Sequence, residues 1–151
     1  MFWLMNNILN PLMLLILRGP FHRLLSGSLL ALTVYGKKSG KPYPLVVNYT
    51  QIGQQITIIP AMAQQKTWWR NLRGGGMVDL TLKGRHYHAS ATLIEGEHDQ
   101  QAAFAALQAQ VSQFPKLAGI YGIKMDAQNQ PTPQSLSNAA ASTVLVSINL
   151  H

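Results

Sequence analysis

No cysteine occurs in the 151 residues, which excludes disulfides and thiolate metal sites and leaves the redox compartment open. Acidic residues are nearly as scarce: five Asp and Glu stand against twelve Lys and Arg, for a net charge of +7. The five are scattered, with no pair placed for general acid and base work, so hydrolytic chemistry is poorly supported. No Gly-x-Ser-x-Gly elbow occurs, and Lys38-Ser39 follows Gly36 too closely to complete a Walker loop. His86 and His88 lie two apart on one strand face without an evident third ligand, and read as solvent-facing rather than as a metal site. Charged residues make up only 11% of the chain, while 47% is hydrophobic. A core is therefore well supplied, and the low surface charge suggests surface hidden against a membrane, a partner or a second copy.

A long uninterrupted apolar run is also missing. Residues 2–17 are strongly apolar, but Asn6, Asn7, Asn10 and Pro11 interrupt them. The clean stretch 12–17 falls far short of the ~20 residues that a spanning helix needs. Arg18 and Arg23 follow the apolar stretch, the reverse of a secretory signal. The expectation is an amphipathic or buried helix within an N-terminal segment, residues 1–27. It either touches a membrane interface, with Trp3 as anchor and Arg18, His22 and Arg23 toward headgroups, or packs on the domain or across a homodimer. The expected location is the cytoplasm, at the inner face of the cell membrane where that contact is made.

The remaining residues, 28–151, read as one domain. Six strands are expected, at 28–35, 45–51, 55–59, 77–82, 85–94 and 142–150, mostly as antiparallel hairpins. A short helix at 68–72 ends at Gly74-Gly75-Gly76, and a longer helix at 98–114 ends at Pro115. Short helical segments are also expected around Pro11 and at 21–25, and a polar loop at 126–133. Helices do not alternate with strands, so a doubly wound sheet is excluded. The pattern is mainly β, an α+β domain built as a small antiparallel barrel or rolled sheet with helices outside.

Ten of the twelve Lys and Arg precede residue 86, where Asp79 is the one acid. An anionic ligand or anionic headgroups would explain such a field, and nucleic acid is not an expected partner. Two clusters stand in this basic half, each shortly after an extended segment. Gly36-Lys37-Lys38-Ser39-Gly40-Lys41 combines ammonium groups, a hydroxyl and glycine amides, the chemistry of an anion grip. Thr67-Trp68-Trp69-Arg70-Asn71-Leu72-Arg73 offers indole walls for a flat ring. An anion grip with a ring wall suggests a nucleotide-like cofactor, which would carry the chemistry while the protein binds and orients it.

These residues, in this order, resemble the deazaflavin-dependent nitroreductase family of split β-barrel oxidoreductases. Thr33-Val34-Tyr35-Gly36-Lys37-Lys38-Ser39-Gly40 is similar to its Thr-x-x-Gly-(Arg/Lys)-Lys-Ser-Gly, and Trp68-Trp69-Arg70-Asn71-Leu72-Arg73 to its Trp-x-x-Asn-Leu helix. Tyr49 and Ile59-Pro60-Ala61 match between them. The resemblance implies a six-stranded antiparallel split barrel of the FMN-binding type and an 8-hydroxy-5-deazaflavin coenzyme with a phosphate and an acidic tail. Lys37, Lys38, Ser39, Gly40 and Lys41 would meet the phosphate and tail. Ile59, Pro60, Ala61 and Met62 would lie along the ring, with Lys66 a further candidate. Trp68 and Asn71 would close the pocket, joined by Trp69 if the helix phase turns it inward; Tyr121 would face the substrate. The implied reaction moves a hydride from the reduced coenzyme to a planar acceptor, a quinone or nitroaromatic. Two alternatives are FMN held by the same lysines, and a split-barrel protein that binds a ligand at the membrane without turnover. Departures are Tyr43 where the family has Arg, Gly75-Gly76 where it has Asn-Pro, and a shorter stretch from Met62 to Thr67.

Overall fold

The structure, a computed structural model, describes residues 29–150. The expectations for residues 1–28 lie outside this range. Seven strands form a single antiparallel sheet: β1 Leu29–Tyr35, β2 Pro42–Asn48, β3 Thr50–Ile52, β4 Gln55–Ile58, β5 Gly76–Leu82, β6 Arg85–Glu95 and β7 Val144–Asn149. Their order across the sheet is β2-β1-β5-β6-β7-β4-β3. The two edge strands, β2 and β3, are consecutive in the chain and separated by Tyr49 alone. Cα atoms two residues apart cannot be separated by more than roughly 7 Å. The two edges must therefore meet, and the sheet curls into a barrel with its seam at Tyr49.

Six strands were expected and seven are present, because the predicted strand at 45–51 breaks at Tyr49. That side chain is buried in the barrel interior, where burial raises its phenolic pKa. The chain bends there, leaving β1 on one side and joining β4 on the other.

Strand alternation fills the barrel. Leu30, Leu32 and Val34 of β1 face Val78, Leu80 and Leu82 of β5, with Leu32 directly opposite Leu80. Ala89 and Ala91 of β6 give room to these larger side chains, and Ile56, Ile58, Val146 and Ile148 complete the interior. The β5–β6 turn holds Lys83 and Gly84 at φ 49° and 80°, so both central residues are left-handed, as a two-residue hairpin requires.

A second core lies outside the barrel. Helix α1, Gln100–Gln113, and helix α2, Pro133–Ser142, pack Leu107, Val111, Leu136 and Ala140 onto Ile59, Ile94 and Leu145. The Asp99 carboxylate caps α1 by accepting from the Ala102 amide at 3.1 Å. Helix α2 was not anticipated, although Pro133 at its first turn and apolar Leu136, Ala139 and Ala140 are its signature. A short 3-10 helix, Pro115–Tyr121, bridges the two helices' layer toward the barrel rim.

Gly96 marks where β6 meets α2. Its amide donates to the Thr143 carbonyl at 2.8 Å, and a Cβ there would run into the Ala140 carbonyl and stand 2.9 Å from that of Thr143. Gly96→Ala should therefore lower the urea midpoint by an amount equivalent to about 1–3 kcal/mol, since backbone must shift to admit it. Gly119→Ala, where a Cβ meets open space, is the control and should leave the midpoint almost unchanged.

Candidate functional site

The lysine loop and the tryptophan helix, more than thirty residues apart in the chain, lie against one another. The loop is a tight turn: the Gly36 amide donates to the Lys41 carbonyl and the Gly40 amide to the Gly36 carbonyl, both at 2.8 Å. Gly40 takes φ 70° to make the turn. Ser39 Oγ accepts from the Lys41 amide at 3.2 Å, which turns part of the hydroxyl's capacity inward. The ammonium groups of Lys38 and Lys41 are presented to solvent.

Asn71 makes the junction. Its Oδ1 accepts from the Lys37 amide at 3.0 Å, while its Nδ2 donates to the Trp68 carbonyl at 3.1 Å. Lys37 Nζ donates to the Arg73 carbonyl, a second strap between the same two segments. Arg73 in turn pairs with Glu95 at 2.7 Å, tying the helix end to β6. Asn71 and Lys37 thus act first on each other; the free cations of the loop are Lys38 and Lys41.

The phase of the short helix Trp68–Leu72 sorts the two indoles. Trp69 is 2% exposed, donates Nε1–H to the Ala63 carbonyl at 2.8 Å, and packs with Ala63 and Val144. Arg70 and Arg73 lie over its ring at 5.3 and 5.4 Å. It presents no face to a ligand. Trp68 is half-buried across both the barrel core and the Ala63 cluster, and keeps an accessible edge.

Through Trp69 the helix reaches the segment after β4. Ile59 and Pro60 are buried, Ala61 is half-buried, and Met62 is exposed. Met62 takes φ 50°, ψ 50°, a left-handed conformation that costs a side-chain-bearing residue roughly 1 kcal/mol. A cleft of about 170 Å³ opens beside it, lined by Pro60, Met62, Gln64 and Gln65 on one side and Ile120, Tyr121 and Ser142 on the other. Tyr121 donates its hydroxyl proton to the Ile59 carbonyl at 2.7 Å, and burial pushes its pKa up to about 12. The phenol is therefore protonated throughout the neutral range. Lys66, half-buried just beyond Gln65, has its pKa lowered by loss of solvent.

The sequence-derived candidates accordingly fall into two groups joined by one short helix, roughly 10 Å long. The loop group is Lys38, Ser39, Gly40 and Lys41; the cleft group is Pro60, Met62 and Tyr121. Ile59 contributes a carbonyl rather than a side chain. The cleft wall from α2, and Gln64 and Gln65, were not foreseen, because nothing in their own spacing signals a cavity.

Elsewhere on the outer surface, the Asp79 carboxylate accepts from the Tyr35 hydroxyl and from His88 Nδ1, the latter at 2.6 Å. Thr81 Oγ1 lies 2.9 Å from His86 Nδ1. Among the described residues, no three His, Asp or Glu side chains gather as a metal site.

A small antiparallel barrel, closed at one seam, with a lysine loop strapped to an aromatic helix, is a split-barrel fold. Residues 17–118 match the F420H(2)-dependent quinone reductase family, and the chain belongs to that family. The match spans both motifs and ends before Tyr121. Among solved structures, the chain is similar to an F420-H2 dependent reductase at TM-score 0.54 and 13% identity, covering 80% of this chain and 93% of the other. It is also similar to a structure described as a domain-swapped dimer, at TM-score 0.50 and 13% identity, covering 83% of this chain and 92% of the other. At such identities the likeness is one of fold. No curated protein matches the sequence. The family is one of oxidoreductases that use the reduced deazaflavin coenzyme, with quinone-type small molecules as acceptors.

The residues suit that coenzyme in kind. Its phosphate and acidic tail need cations, which Lys38 and Lys41 would supply. Its ring would need a wall, and the 170 Å³ cleft is smaller than the ~300–1,000 Å³ that encloses a whole ligand. A ring held only along one edge keeps a face open to a second planar molecule.

Asn71→Ala should release the Lys37 amide and cost about 1–2 kcal/mol, read from urea denaturation, with faster hydrogen exchange at Lys37. Exchange at Lys37 unchanged from wild type would show that the side chain is not the strap. A second prediction concerns acid stability. The hydrogen bond from Tyr35, then that from His88, holds the Asp79 pKa below its ordinary value. A depressed folded-state pKa contributes stability that is complete above the unfolded value of ~3.9 and is lost as pH falls through the folded one. Asp79→Asn should therefore flatten the stability–pH curve below about pH 4, as followed by urea midpoints; an unchanged acid limb would contradict it.

Proposed function

We propose that this protein transfers a hydride from the reduced deazaflavin coenzyme to a quinone or another planar acceptor such as a nitroaromatic, seated at the Met62–Tyr121 cleft. The observation that carries this is the Asn71 junction, which straps the cationic turn to the short helix whose Trp69 bonds Ala63 in the cleft wall. A cationic turn and a partly apolar cleft linked through one helix suit a molecule with an acidic end and a flat end.

In this reading Lys38 and Lys41, with the Ser39 hydroxyl proton, bind the phosphate and the first acidic residues of the tail, while the Gly40 amide is spent within the turn on the Gly36 carbonyl. Lys37 steadies the turn through Arg73 and Asn71 and adds to the local positive field. The backbone of residues 59–62 and the exposed edge of Trp68 border the ring. When bound, the coenzyme supplies the hydride. Tyr121, protonated and half-buried, donates a hydrogen bond toward the acceptor oxygen, and the apolar walls Pro60, Met62 and Ile120 keep water from the reacting face. Lys66 carries a partly desolvated charge beside the cleft, where it attracts an anionic acceptor or the coenzyme phosphate.

The apolar composition of residues 2–17 supports a peripheral contact with the inner membrane face, which would favour a lipophilic quinone. Among the described residues no helix is long and apolar enough to cross a membrane. The low proportion of charge supports pairing of two copies.

Titration with the deazaflavin coenzyme and separately with FMN, followed by fluorescence, tests the reading. Binding of the deazaflavin and not FMN is expected. The double variant Lys38→Ala/Lys41→Ala should weaken it about 10–100-fold, two charge-assisted contacts being lost, and should flatten its dependence on salt. Equal affinity in the double variant, or binding of FMN alone, would defeat the assignment.

A further inference from the structure

The cleft beside Met62 has two walls from distant parts of the chain. Residues 60–65 form one; Ile120, Tyr121 and the last turn of α2 form the other. Two hydrogen bonds join these segments. Tyr121 gives its proton to the Ile59 carbonyl at 2.7 Å, and Gln64 Nε2 donates to the Ser142 carbonyl at 3.1 Å. Ser142 closes α2, so its carbonyl has no amide of the helix to accept from.

Gln64 starts from a fixed backbone. Met62 redirects the chain through its left-handed position, and Ala63 is held by the buried Trp69 indole at 2.8 Å. Gln64 itself is exposed, so its bond to Ser142 competes with water and is readily exchanged. Among the described residues no charged side chain lines the cleft, and its polar side chains are carboxamides and hydroxyls beside Pro60, Met62 and Ile120. Such a lining favours an uncharged molecule that carries hydrogen-bonding oxygens on a flat apolar body. A carbonyl oxygen is the acceptor that Gln64 already serves in Ser142. A primary carboxamide has two N–H donors, so it can bond an incoming carbonyl beside Ser142 or in exchange for it. The oxygens of a nitro group are much weaker hydrogen-bond acceptors.

We propose that Gln64 binds the carbonyl oxygen of the acceptor and makes this cleft select quinones over nitroaromatics of the same shape. The inference rests on the reductase reading above and narrows its acceptor to one class.

Menadione and 1-nitronaphthalene are flat molecules of similar outline, and the cysteine-free chain offers menadione no thiol to alkylate. In ¹⁵N-labelled protein, titrated with and without the oxidised coenzyme, the Gln64 side-chain amide signal is identified by its loss in Gln64→Leu. It should shift with menadione and stay in place with 1-nitronaphthalene. With reduced coenzyme, Gln64→Leu should raise KM for menadione about 3–10-fold, the loss of one hydrogen bond, and change that for 1-nitronaphthalene by less than about twofold. Gln64→Glu keeps the shape without a donor at neutral pH and should lose at least as much; either variant serves if the other does not fold. A Gln64 signal unmoved by menadione in both titrations, KM values that rise alike for the two acceptors, or reduction of 1-nitronaphthalene alone would overturn the proposal. Wild-type protein that reduces neither acceptor would instead overturn the reductase reading, and the amide signal would still decide whether Gln64 binds a quinone carbonyl.

Discussion

The arrangement of the site depends on the carboxamide of Asn71. One amide group accepts from the lysine turn and donates to the first carbonyl of the tryptophan helix, so two segments far apart in the chain acquire a fixed relation. Hydrophobic burial could not do this, because the turn is polar and exposed. A carboxamide can, because it carries both a donor and an acceptor on a short, rigid stem. Its two bonds point along the chain on one side and across it on the other. The cationic turn is thereby anchored to the same helix that, through Trp69 and Ala63, borders the cleft.

Around that cleft the molecule departs repeatedly from the rules obeyed elsewhere. Met62 occupies a left-handed backbone position in its wall, and Lys66, next to the wall residue Gln65, carries a partly desolvated charge. The barrel interior, by contrast, is apolar but for the Tyr49 phenol and follows strand alternation. Unfavourable features gathered in one place, on a scaffold otherwise consistent with itself, are characteristic of a binding or reacting site. The barrel core supplies the stability against which these local costs are set.

Much of this was legible beforehand. The hairpins and the β5–β6 turn follow from alternation and from Gly84; the end of the tryptophan helix follows from its glycines. The lysine turn and the aromatic helix were visible as motifs because each is local, with its residues held within eight positions. The break at Tyr49 was not, because a buried tyrosine in an apolar run reads as continuous strand. Helix α2 was hidden in a stretch of Ser, Asn and Ala with weak periodicity, whose helicity depends on packing Leu136 and Ala140 against α1. Trp68 and Trp69 could not be told apart, since adjacent residues on a short helix exchange roles with a small change of phase.

Composition and spacing by themselves determined a cysteine-free, basic, mainly β domain with a cationic turn and an indole pair in its first half. Those properties are local or additive, so they survive without knowledge of the path of the chain. Only the tertiary structure decided that the turn is strapped to the helix, that Trp69 is enclosed while Trp68 keeps an edge, and that Tyr121 comes to face Met62 across a cleft. Each is a meeting of residues far apart in sequence, set by the curling of one sheet until its two edges join at Tyr49. Barrel closure is a property of the whole hydrogen-bonded ladder, and no single segment of the chain encodes it.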